Sequence, residues 1–473
     1  MIPRLILLFV LLCVPRVLAQ ALPELGDASA AAISPADERR LGEDIMRQIR
    51  QDPAYLDDPE AADYVNSLGS RLTVRSDSAR QEFEFFVVRD PQINAFALPG
   101  GFIGIHTGLI LAAQSESEVA GVVAHEVAHV TQRHIARMIN QQGQNQLMSL
   151  AALAVAILAS RANSQVTEAA IAFGQAGVIQ NQLNFTRDNE READRVGLQL
   201  LDKAGFDPRG MAVFFERLQR ATRVYEGGAP SYLRTHPLTY ERIADIQNRI
   251  ENLQYRQVAD GLDFQLIRAK LRAEADSPHD GVAFFEESLA TRKFLSETAS
   301  RYGLVASLIR AREFDRAQRE IVPLRKTPSA IIANLDCRLA EVADAPEKAL
   351  KCYQEARRAY PGYRALFYGH VEQLLRARQP AVALQLLSSR VLAYPDDARL
   401  YRLQAQAYAE EGNSLQQHRA LGEAYARSGQ LGAAVEQYRI ALKAGGGDFY
   451  QMSAMEARLR ELRLLLAERD RKQ

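Results

Sequence analysis

This sequence predicts an α+β half, mostly helical around one small sheet, followed by an all-α half of repeated helix pairs. Three observations carry that reading. Strand formers concentrate between Phe83 and Ile105. Helical patterns dominate from Ser115 to about Gln257. Beyond that, Tyr360-Pro361 and Tyr394-Pro395 recur 34 residues apart in a wholly helical context. A chain of 473 residues exceeds one ordinary core. Two domains are therefore expected, at 20–258 and 259–473, behind a leader at 1–19.

The leader is read from Arg4, the apolar run Leu5 to Val14, and the small-residue exit Val17-Leu18-Ala19. The run is too short to span a bilayer and has the layout of a secretory signal peptide, with a retained anchor as the alternative. Next, Ser34-Pro35 opens a helix over Ala36 to Gln51, Ser34 as cap and Pro35 at the first helical position. Phe83 to Val88 reads as a strand, Asn94 to Leu98 as a second that enters the turn Pro99-Gly100-Gly101, and Phe102 to Ile105 as its return. Ser115 and Glu118 stand in capping-box spacing at the start of a long helix.

The second half repeats in registers 296–329, 330–363 and 364–397, and Leu421-Gly422, Tyr425, Gly429 and Ala433 restate the pattern half a repeat out of phase. A 34-residue helix-turn-helix unit resembles the tetratricopeptide repeat, an array that presents a concave surface to peptides or partner proteins. Cys337 stands where that pattern prefers Gly, and a plain helical bundle is the alternative. Removing the leader leaves Cys337 and Cys352, 15 residues apart, as candidates for one disulfide in an exported chain. Lys+Arg and Asp+Glu both number 58, so no net field draws the chain to nucleic acid or to an acidic membrane.

His125-Glu126-Val127-Ala128-His129 lies in the middle of the helix that begins near Ser115. Four-residue spacing puts both imidazoles on one face, one turn apart, where they can share a metal ion. Glu126 lies close to that face and can hold a water whose pKa zinc lowers to about 7. Glu190-Arg191-Glu192-Ala193-Asp194 opens a later helix with Glu190 and Asp194 on one face. Glu190 can complete a His2Glu site and Asp194 can accept the outer N–H of a ligand imidazole. An acidic, solvated helix start is the competing reading.

These motifs, with the strand Asn94-Ala95-Phe96-Ala97-Leu98-Pro99-Gly100-Gly101 ahead of them, resemble the CAAX-prenyl-protease-like family of zinc metallopeptidases, over roughly residues 34–255. The resemblance implies one Zn2+ per subunit on His125, His129 and Glu190, with Glu126 as catalytic base and Asp194 behind the ligands. With the leader and the repeats, it also implies a periplasmic endopeptidase that acts on misassembled outer-membrane β-barrel proteins and assists their assembly, meeting client and assembly machinery through the repeats. A non-proteolytic chaperone or scaffold for the same assembly is the alternative.

His236, in Thr235-His236-Pro237, reads locally as a capping or surface histidine; the resemblance offers it as a fourth, restraining ligand. His134 falls off the ligand face and reads as structural, while His106 could face the cleft. His279, His370 and His418 read as surface or packing residues. Asn94 to Leu98 has the alternation of an edge strand to which an extended substrate could add. Leu147 to Ala159 is too short to span a membrane; it reads as a buried helix or lid, with peripheral membrane contact as the alternative.

Overall fold

The computed structural model describes residues 33–74, 81–142, 187–224, 231–343 and 346–472. The expected leader and the segment 147–159 lie outside them. Helices are numbered here among the described residues.

Helix α1 (Pro35–Ile49) begins as its sequence requires: Ser34 Oγ accepts from Asp37 N at 3.1 Å and Pro35 occupies the first turn. Helix α2 (Pro59–Thr73) is capped by Asp58, which accepts from Glu60 N and Ala61 N. Three strands follow, β1 (Glu84–Val88), β2 (Ala95–Leu98) and β3 (Phe102–His106), in sheet order β1-β3-β2. β3 runs parallel to β1 and antiparallel to β2. The turn between β2 and β3 needs Gly100 and Gly101 at φ +77° and +89°, a region a side chain disfavours.

Period-two alternation then splits the sheet. Phe86, Val88, Phe96, Leu98 and Phe102 pack on α1. Phe85, Val87, Ala95, Ile103 and Ile105 face the main core with α2 and the helix that carries the histidine motif. β2 is left at an edge of the sheet, as its alternation predicts.

A short helix α3 (Thr107–Ala112) leads to α4 (Glu116–Thr131), whose residues are buried from Glu116 through Val130. A helix buried on every side lies inside a protein, and this one is central. Half of the expected capping box forms: Ser115 Oγ accepts from Glu118 N at 3.3 Å, while Glu118 Oε2 accepts at 2.7 Å from Gln114 N, one residue before the cap. Then come α5 (His134–Gln142), α6 (Arg187–Lys203), α7 (Arg209–Val224), α8 (Ser231–Thr235) and α9 (Tyr240–Glu251).

The rest is helix pairs: α10 (Leu262–Ala275) with α11 (Pro278–Thr291), α12 (Glu297–Arg310) with α13 (Phe314–Glu320), and α14 (Ala330–Val342) with α15 (Pro346–Ala359). After them come α16 (Arg364–Arg376), α17 (Pro380–Ala393), α18 (Ala398–Glu410), α19 (Ser414–Arg427), α20 (Leu431–Ala444) and α21 (Phe449–Lys472). α14, α16 and α18 begin 34 residues apart, and both Tyr-Pro pairs directly follow a pair's second helix. The out-of-phase restatement falls on α19 and α20, while α18 and α19 form an in-phase pair ahead of it. Cys337 and Cys352 are bonded, joining α14 to α15.

One apolar core runs through residue 258 without a break, from Leu218 and Ile246 to Phe264, Leu271, Tyr302 and Leu335. A buried polar seam follows it. Lys270, 3% exposed, pairs with Asp58, the cap of α2, and with Glu60 in its first turn. Tyr363 Oη donates to Glu60 Oε1 at 2.9 Å and Arg364 Nε to Asp63 Oδ1 at 2.7 Å. Each buried carboxylate in the seam has a partner, which is what makes its burial tolerable.

Candidate metal centre

The centre is built where α6 crosses α4. Glu190, Asp194 and Gly197 lie at i, i+4 and i+7 on α6, one stripe of its buried face. Gly197 meets the main chain of α4 directly: a Cβ there would stand 3.0 Å from His125 N and 3.1 Å from Ala124 C and O. With no side chain between the backbones, the carboxylates one and two turns earlier reach the imidazoles. His125 Nε2 and His129 Nε2 lie 3.0 Å apart. Glu190 Oε2 is 3.5 Å from the first and Glu190 Oε1 is 3.3 Å from the second.

α8 brings in the fourth group. Tyr232 N donates to Ile93 O at 3.3 Å, which ties α8 to the residue before Asn94 and β2. One turn on, just past the end of α8, His236 points inward with Nδ1 3.0 Å from Glu190 Oε1 and Nε2 3.6 Å from Glu126 Oε1. His125, His129, Glu190 and His236 each offer one ligand atom, all within 4.8 Å of one another, and all four are buried. That is a donor set and a spacing suited to a transition metal. Glu126, 0% exposed, has only weak neighbours for its charge, the Ala97 main chain and the His236 imidazole 3.6 Å away. A carboxylate so placed costs free energy unless something polar enters the site, and a metal with its water supplies it. The residues present fit the ion.

The surroundings orient and charge these groups. Asp194 Oδ1 lies 3.0 Å from His125 Nδ1, and Arg242, 3% exposed, grips Asp194 in a two-pronged bond at 2.7 Å. Arg242 Nη1 also reaches Glu190 Oε2 at 2.7 Å. Burial disfavours charge on His125, yet its bonds to Asp194 and Glu190 outweigh that and raise its pKa to about 9. Burial holds His129 well below its ordinary value despite Glu190. Burial would raise Glu190, but His236 and the bonds from both motif histidines hold it well below. Glu126 is pushed up, chiefly by burial.

Three residues escape local pattern. His134, read from the sequence as structural, lies with Nδ1 2.8 Å from His129 Nδ1, and its Nε2 is 3.0 Å from Glu192 Oε2, which Arg137 also holds at 2.7 Å. The chain His129–His134–Glu192–Arg137 thus fixes the second imidazole as Asp194 and Arg242 fix the first. Arg242 carries no motif; only its place among apolar neighbours on α9 could have marked it. Tyr232 stacks on His236 with ring centroids 4.8 Å apart. His106 is buried on the α1 side of the sheet, edge-on to Phe96 and 3.5 Å from Asp90, away from the metal centre.

Residues 59–250, the span that contains all these groups, match the model for peptidase family M48. A β-barrel assembly-enhancing protease from Escherichia coli O157:H7 is 32% identical over 454 residues, 94% of this chain and 92% of that protein. The chain belongs to this family. Relatives also include a β-barrel assembly-enhancing protease of Yersinia pestis, 32% identical over 88% of this chain and 86% of its own. The mitochondrial metalloendopeptidase OMA1 of Schizosaccharomyces pombe is 30% identical over 46% of this chain and 63% of its own length. As an M48 member with a buried His-His-Glu-His group, the chain is a metalloendopeptidase.

His134→Ala is expected to weaken metal binding about 10- to 100-fold while the helical content stays the same. Competition against a chelator of known affinity measures it. Unchanged affinity would mean that the 2.8 Å contact does not hold the His129 imidazole in place.

Proposed function

We propose that the chain is an exported zinc endopeptidase in which His125, His129 and Glu190 hold one Zn2+ per subunit and Glu126 is the general base. The observation that carries this reading is the fully buried Glu126 carboxylate beside four ligand atoms within 4.8 Å of one another. Zinc bound there supplies Lewis acidity, polarising a scissile carbonyl and lowering the pKa of a neighbouring water to about 7. Glu126 takes the proton of that water and passes it to the departing amine, a role its burial-raised pKa suits. Asp194 and His134 hold the two imidazoles in the tautomers that leave Nε2 free for the ion. β2, at the sheet edge, takes an extended substrate as an added strand, bonded through the main chain and tolerant of sequence.

His236 is the restraint. It lies against both Glu190 and Glu126, where a fourth ligand would exclude the substrate water. A site closed this way also favours a second activity, non-proteolytic support of assembly, with cleavage as the released state. The names of the relatives carry β-barrel assembly, and in this reading the clients are outer-membrane β-barrel proteins met in the periplasm. In this reading the helix pairs from about residue 259 onward are tetratricopeptide repeats that hold the client or its assembly machinery. The 34-residue recurrence of α14, α16 and α18 supports that assignment.

Glu126→Gln is expected to retain one zinc per chain, by atomic absorption, and to lose roughly 100- to 10,000-fold in cleavage of an unfolded model protein. Wild-type turnover by that variant would remove Glu126 from the mechanism. His236→Ala is expected to raise basal cleavage, self-cleavage included. Equal activity with normal folding would reduce His236 to a structural residue after α8.

A further inference from the structure

A second cavity, of about 790 Å³, lies between α3 and the first helix pairs of the C-terminal half, and none of the metal-centre residues lines it. Its volume falls within the usual range of ligand pockets, roughly 300–1,000 Å³. Its walls are of two kinds. Phe264, Phe284 and Phe294 make it aromatic, while Arg268, Arg272 and Lys293 make it cationic. No Asp or Glu lines it, in a chain whose acids and bases balance at 58 each. Phe284 is 44% exposed and neighbouring Leu295 63%, so an apolar wall faces the solvent.

Arg268 is the informative group. Its Nη2 donates to Leu111 O at 3.2 Å, but its buried Nε has no partner. The acids that act on it through space are engaged elsewhere. Glu118 is held by Arg217 at 2.9 Å and Asp260 accepts from Glu116 N at 2.7 Å. Arg272 lies with Cζ 4.5 Å from the Phe284 ring centroid and reaches Asp276 at 3.2 Å, so it belongs to the rim. Three cationic side chains and no acid, set against aromatic walls, suit an anion whose charge sits directly beside apolar bulk.

We propose that this cavity binds the carboxyl terminus of a polypeptide whose last residue is large and apolar. The main-chain carboxylate meets Arg268 with Lys293 nearby, and the terminal side chain packs among the phenylalanines. A small anion alone leaves the aromatic walls wet. An internal apolar segment brings no charge to the cationic wall. A chain end puts both on one carbon. The occupant is also one that a peptidase always meets, because each cut makes a new carboxyl terminus. A client held by its end there stays at high effective concentration near the metal centre while another segment is cut.

The test is fluorescence anisotropy with the full-length protein and short labelled peptides ending in Leu or Phe, as the free acid and as the carboxamide, checked intact by mass spectrometry. The free acids should bind saturably and about tenfold or more tighter than the amides, the margin expected of one charge-assisted bond. Arg268→Gln should erase that difference and Phe284→Asp should abolish binding. Both variants should keep the wild-type helical content and bound metal, which confirms that they fold. Binding should survive a metal chelator, so failure of the zinc reading leaves this site standing. Equal affinity for acid and amide would overturn the proposal. So would unchanged binding by Phe284→Asp, or binding of palmitate at the site with no binding of either peptide.

Discussion

The contact on which the centre depends is between two backbones. α4 presents His125 and His129 on one face, and α6 presents Glu190 and Asp194 on one face, but these faces become one site only if the helices nearly touch. Gly197 permits that approach, because any side chain there would meet the main chain at His125 itself. The remaining parts extend from this crossing. α9 packs beside α6 and brings Arg242 to Asp194, and α8, tied to the start of β2, delivers His236 from the other side.

Electrostatics decides why so many charges can sit in a dry interior. Glu126, Glu190, Asp194 and Arg242 are each 3% exposed or less. An isolated buried ion costs far more than folding supplies, so the group must be nearly self-neutralising. Arg242 answers Asp194 and Glu190 together, and protonated His125 adds a positive charge that a cation replaces when it binds. The polar seam at Lys270 follows the same rule outside the active region, and it binds α2 to the helix pairs that carry the second cavity.

Much of this was legible in the sequence, for physical reasons. The capped starts of α1 and α4, the three strands and the 34-residue recurrence all arise from local chemistry: caps, alternation and turn residues. The spacing of His125 and His129, and of Glu190 and Asp194, identifies shared faces because helical geometry is fixed. What stayed hidden depends on tertiary placement. His134 follows the left-handed Arg133, φ 52°, so the helical face count that excludes it no longer applies past that residue. Arg242 and Tyr232 act through contacts across helices that no spacing reports. The apolar core also crosses residue 258, where chain length and the change from one helical pattern to a repeating one suggest a boundary, since helices α10 to α12 present the same residue types as the core they join.

The most direct test of the central contact is Gly197 itself. Gly197→Ala and Gly197→Val should force α6 away from α4 by a few tenths of an ångström and by more, respectively, and carry Glu190 with it. Metal affinity, from chelator competition on protein of unchanged helical content, should fall stepwise, and activity should fall roughly a hundredfold as displacement nears 1 Å. A folded Gly197→Val chain that binds its metal and cleaves as well as the wild type would contradict the account. The close crossing would then not be what assembles the site.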